Sequence, residues 1–194
     1  VFDIEPFYNW RDHYRADEDE RSPFYGAVAP DEAVINRLYD QLLHPEWDAF
    51  GAATLYAKVL MADYRRGYAV IEFIGEWNDA VHNDVMFLKR DVIDPMLAEG
   101  IRRFILLGEN VLNFHAEDDD YYAEWYEEVT EDGGWIAALN FREHVREEME
   151  AAGIPRYFLM NREFIAWRTF TPWALAERVD AAVTRRLGTA EEEA

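Results

Sequence analysis

Two clusters of side chains in this sequence have the types and spacing to do chemistry. The first is His115, Glu117, Asp118, Asp119 and Asp120, close behind Glu109. Oxygen and nitrogen donors this dense could hold Mg²⁺, Ca²⁺ or Zn²⁺. The run has no EF-hand glycine and no second histidine at i+4, so no recognised ligand spacing is present. The preferred reading is a helix start, where unpaired N–H groups and the helix dipole favour carboxylates. No metal and no cofactor are expected.

The second cluster is His82-Asn83-Asp84, just after Trp77-Asn78-Asp79. A histidine beside carboxylates serves as a general base when burial tunes it. The preferred reading is again structural, with Asp79 or Asn83 capping a helix and His82 in its first turn. The two clusters meet only in a parallel sheet. The loops after residues 75 and 109 would then share one end, the usual ligand position in such sheets. Glu76, Trp77, Asp79, His82, Glu109, Asn113, His115 and Asp118 would ring that end, with Glu117 beside them. This ring is the candidate binding junction, and it carries the alternative reading of a small-molecule or metal-dependent enzyme.

Other chemistries find little support. There is no cysteine, and Ser22 is the one serine, so nucleophilic catalysis would fall to Thr, Asp or Lys without a supporting motif. No glycine-rich phosphate loop is present. His144 reads as a surface residue, and His13 and His44 have no visible partners. Phe164, Trp167, Phe170 and Trp173 alternate with Arg162 and Arg168. Stacking on nucleic acid would use such a pattern, but core packing or a subunit contact suits it better.

Charge supports that preference. Asp and Glu number 40 against 19 basic residues, a net charge of -21. Only Lys58 and Lys89 are lysines; the remaining basic residues are arginines. An acidic, lysine-poor chain with charge spread along its length fits adaptation to high salt, where ions screen the self-repulsion. Nucleic-acid binding is disfavoured. Half of the 194 residues are hydrophobic, with 7 Trp, 11 Tyr and 12 Phe, enough for one substantial core. No apolar run reaches membrane-spanning length. With no signal-like N-terminus and no cysteine, a cytoplasmic location is expected.

The elements that would position these residues follow from periodicity. Residues 1–30 read as an arm with aromatic anchors around Asp17-Glu-Asp-Glu20. A helix is expected over about 32–43, capped by Asp31 and stopped at His44-Pro45. Strands are expected over 54–63 and 68–75, joined by a turn at Tyr64-Arg-Arg-Gly67. A helix should follow over about 83–99, kinked by Pro95 and ended by Gly100. Then come a strand over 103–107, a loop with the acidic run, a helix over 121–130, a strand over 135–139, a helix over 141–152 and a strand over 156–160. A last helix should start at Pro172 and run to about 187, with a frayed acidic tail beyond.

From residue 54 to about 160 this order resembles the STAS domain, the fold of bacterial anti-sigma-factor antagonists and of modules on anion transporters. Gly75-Glu-Trp-Asn-Asp79-Ala is similar to the family's turn ahead of its first helix. Asn110-Val-Leu-Asn-Phe-His115 stands where the family has its strand-end segment. Asn140 to Ile154 resembles the penultimate helix. The family's Asp-Ser-Ser-Gly segment, whose serine is phosphorylated, is replaced by His115-Ala-Glu-Asp118, so the resemblance implies a module without the serine switch.

The sequence therefore predicts an α/β fold, a STAS-like sheet with helices packed on it. It predicts an N-terminal arm and helix over 1–53, the α/β domain with its C-terminal helix over 54–188, and a tail over 189–194. The expected function is a cytoplasmic, non-catalytic interaction or regulatory module. Its partner would present a basic patch to the acidic junction, and a homodimer through the aromatic ends is a further expectation. Neither nucleic acid nor a membrane is expected as partner.

Overall fold

The computed structural model describes residues 4–29, 37–38, 41–161 and 164–192. Its centre is a five-stranded sheet whose neighbouring strands follow chain order. β3 (Leu55–Asp63) and β4 (Tyr68–Asn78) form an antiparallel hairpin. Gly67 closes the turn with φ 71°, the left-handed conformation that glycine adopts without a Cβ clash. β5 (Arg103–His115), β6 (Trp135–Leu139) and β7 (Leu159–Asn161) then add in parallel. This mixed sheet with helices packed on it is the architecture that the STAS resemblance implies.

Both faces of the sheet are covered, which is why β4 and β6 read as continuous apolar runs. On one face Ile71, Phe73, Phe104, Leu106 and Ile136 pack under the helices of the parallel crossovers. The first crossover is broken: α1 (Asp79–His82), α2 (Asp84–Phe87), a π-helical stretch (Leu88–Ile93) and α3 (Asp94–Ala98). The others are α4 (Asp120–Glu131) and α5 (Glu143–Ala151). On the opposite face Val70, Ile105, Leu107 and Ala137 meet Trp10 from the arm, Phe164 and Trp167, and α6 (Pro172–Glu192) through Leu175 and Val179. The aromatic run after residue 164 is thus a core cover. Trp10 Nε1 donates to the Phe170 carbonyl at 3.0 Å, tying the arm to it.

Several expectations need correction. Where the predicted 32–43 helix is described, Arg37–Leu38 (β1) and Gln41–Leu42 (β2) form a small antiparallel pair. Its cap, Asp31, and residues 32–36, 39 and 40 lie outside the described residues, as does Arg162. The expected helix over 83–99 is several short pieces. Pro95 offers no N–H to the preceding turn, and the chain just before it winds as a π segment, with Asp94 N–H bonding the Lys89 carbonyl. β5 extends past the predicted end at 107 to His115, so most of the expected loop is strand. The last strand starts at Leu159, after a 3₁₀ turn over Ile154–Arg156. α6 continues through the predicted tail to Glu192. No helix among the described residues is long and apolar enough to cross a membrane.

Candidate functional site

β4 and β5 are the longest strands, and they leave the sheet together. Their parallel register sets Glu76 beside Asn113, Trp77 beside Phe114 and Asn78 beside His115. β6 pairs with β5 only as far as Leu107. The two strands therefore project beyond the rest of the sheet, and the loops that follow them emerge at one end, as a parallel pair requires.

The projecting edge of β5 is covered by side chains. Arg142 Nε donates to the Glu109 carbonyl at 3.0 Å, and His144 Nε2 meets the Leu112 carbonyl at 2.7 Å. Glu148 accepts from Phe114 N–H at 2.8 Å. All three come from α5 or the residue preceding it. They satisfy backbone groups that would otherwise invite a foreign strand. Gly108 allows the close approach: a Cβ there would lie 2.4 Å from the Phe141 ring.

On the β4 side the chain turns into α1 through two buried aspartates. Asn78 caps α1, accepting from Val81 N–H at 3.1 Å. Asp79 accepts from Val85 N–H at 2.8 Å and from the Tyr122 hydroxyl of α4. Asp84 accepts from Asn78 N–H at 2.8 Å. Each aspartate thus holds backbone from the far side of Asn83, whose φ of 52° reverses the chain between α1 and α2. Burial pushes the Asp79 carboxyl up to about 6 and also raises Asp84. The expected caps, Asp79 and Asn83, are replaced by Asn78; Asn83 makes no side-chain cap bond.

The nine residues of the sequence-derived junction therefore separate. Trp77 and Asp79 are buried beneath the helix layer. Glu76 accepts from Asn113 Nδ2 at 3.0 Å across the projecting strands. His82 at the end of α1, His115 at the end of β5, and Glu117 and Asp118 in the segment after β5 are exposed. Glu109 lies on the opposite face, where it accepts from Asn140 Nδ2 at 3.1 Å, Trp167 Nε1 at 2.7 Å and the Arg168 guanidinium. In the acidic run, Asp119 stands at the N-terminus of α4 and accepts from the Tyr157 hydroxyl at 2.6 Å.

Carboxylates close enough to share a cation lie elsewhere. Among the described residues they are Asp94, Glu124 and Glu128, whose oxygens fall within 4.8 Å of one another. The Lys89 ammonium, fully buried, occupies that position. It reaches Glu128 at 2.8 Å, Glu124 at 3.3 Å and also Asp94, and Arg90 bridges Asp94 and Glu124 from outside. The sequence reading missed this group, which joins the first crossover to α4.

It also missed Glu72. A lone carboxylate inside the apolar run of β4 was the available signal, since such a group persists only with partners. Glu72 accepts from Phe7 N–H of the arm at 2.9 Å and from Arg168 at 3.3 Å. Burial pushes it up to about 7.

No protein-family model matches the chain, and no curated protein matches it. Solved structures similar to it include a Thermotoga maritima protein, TM1081, described as an anti-sigma factor antagonist. Its crystal structure is 15% identical over 58% of this chain and 89% of that one, with a TM-score of 0.42. The NMR structure of TM1081 aligns at 16% identity over 53% and 77%, with a TM-score of 0.39. The anti-sigma factor antagonist SpoIIAA in its unphosphorylated form aligns at 16% identity over 57% and 91%, with a TM-score of 0.43.

Proposed function

We propose that the chain is a non-catalytic interaction module that docks a protein partner through the end where β4 and β5 run out. One observation carries this reading. The residues of the junction do not converge: Trp77 and Asp79 are sealed below as structural supports, while His82, His115, Glu117 and Asp118 face solvent. A rigid platform with an exposed acidic rim suits recognition by charge more than chemistry in a dry pocket. The rim favours a partner with a basic patch.

The segment His115-Ala-Glu-Asp118 has no hydroxyl to phosphorylate. The module is therefore read as permanently charged at the position where the STAS antagonists carry their switch. We place it in the cytoplasm, and we read its acidic, lysine-poor composition as adaptation to high salt.

The test is capture from a native lysate in molar KCl, comparing the wild-type chain with Glu117→Lys/Asp118→Lys. A defined partner retained by the wild type and lost with the double variant supports the reading. A chain that elutes alone, or a partner held equally by both, contradicts it.

A further inference from the structure

We propose that the groove between α5, β7 and the segment 164–168 binds a small organic anion, with its carboxylate or phosphate head seated on Arg146. The exposed loops of the acidic junction are not involved, although Glu109 lines the groove; Arg146, Arg168 and Arg186 stand there among Glu109, Glu143 and Glu150.

The observation behind this is a nearly buried arginine whose Nε has no hydrogen-bond partner. Arg146 on α5 is 7% exposed. Its Nε is buried without a hydrogen bond. Among the described residues its charge is met by Glu143 and Glu150, each at 3.6 Å. Both carboxylates are more than half exposed, and neither is within hydrogen-bond reach. A buried guanidinium N–H left without an acceptor is costly, and native structures seldom keep one without a reason. Its planar fork matches a carboxylate or phosphate through two parallel N–H···O bonds.

The surroundings form a built receptacle. Arg146, Met160 and Asn161 line two adjoining clefts of about 510 and 590 Å³, each large enough for a small metabolite. Ala138, Phe141 and Phe158 supply apolar wall, and Ile165, 80% exposed, stands at the mouth. Arg168 at one end is neutralised by Glu109 and Glu72. Arg186 at the other end donates to the Met160 carbonyl. The groove opens beside the C-terminal ends of β6 and β7, where open parallel sheets bind ligands.

The probes are inorganic phosphate and butyrate, titrated separately into the full ¹⁵N-labelled chain at constant molar KCl. Expected is a saturable shift, with at least one probe, of the Asn140 and Asn161 side-chain amides and of the amides around 146 and 160. Arg146→Met keeps the volume and removes the fork, and should weaken binding at least tenfold. Phosphate alone would define a tetrahedral head group, and butyrate alone a carboxylate with an apolar tail. No saturable shift with either probe in the wild type overturns the proposal, as do shifts scattered over the surface or undiminished binding by Arg146→Met. If that variant fails to fold, the wild-type map decides alone.

Discussion

Glu72 and Asp79 are acids kept where water cannot reach them easily, and both are pushed up by burial, to about 7 and about 6. An acid whose folded value is raised binds its proton more tightly in the folded chain. Its stabilising effect is complete below the unfolded value and is lost as pH rises through the folded one. From the ordinary values of 4.5 and 3.8, each shift corresponds to roughly 3 kcal/mol. Stability from these two groups should therefore fall between about pH 4 and pH 7. Denaturant titrations across that range should show a shallower decline in Glu72→Gln and in Asp79→Asn than in the wild type. Slopes equal to wild type would mean the two carboxyls are not desolvated as described. The sequence hinted at Glu72, a charge in an apolar strand. It hid Asp79, because a cap aspartate and a buried one look alike and the partner Tyr122 is far along the chain. It hid Arg146 for a similar reason: an arginine on an acidic helix looks solvated until the neighbouring strand is placed.

At the scale of elements, the periodic signals located the strands with apolar runs, Leu55–Asp63 and Trp135–Leu139, almost to the residue. They failed for the outer half of β5, where Gly108, Glu109, Asn110 and Asn113 look like loop residues. That segment is strand because β4 pairs it on one side and α5 side chains satisfy it on the other, and neither is local information. The dependence can be tested. Glu148→Ala leaves the Phe114 N–H without its acceptor and should cost about 1–2 kcal/mol. Hydrogen exchange should rise at residues 112–115 and leave β6 protected; no local rise would show that Glu148 does not hold this edge. A second element-scale contact is the Lys89 bridge between the broken first crossover and α4. Lys89→Met leaves Asp94, Glu124 and Glu128 facing one another, with Arg90 paired to the first two. The melting temperature should drop, and millimolar Ca²⁺, offered the same three carboxylates, should restore part of it. Equal melting with and without Ca²⁺ would show that the three do not gather once the ammonium is gone.

For the whole molecule, charge is the governing quantity. A net charge of -21 on 194 residues destabilises the compact state through self-repulsion, and salt relieves it. The melting temperature should rise steeply from low salt to molar KCl, more than for a chain of balanced charge. A flat response would remove the salt-adaptation reading. The projecting end of β4 and β5 is rimmed with carboxylates, while the groove beside β7 mixes Arg146, Arg168 and Arg186 with Glu109, Glu143 and Glu150. The central claim is that the projecting end, supported from below by the Asp79–Tyr122 and Asp84–Asn78 bonds, is the docking surface. Hydrogen–deuterium exchange of the chain, alone and with its captured partner in molar KCl, tests this most directly. The account predicts new protection at residues 80–83 and 115–120, with α6 and β3 unchanged. Protection confined to α6, the arm or the β3 edge, with the two emerging loops exchanging as freely as before, would contradict it.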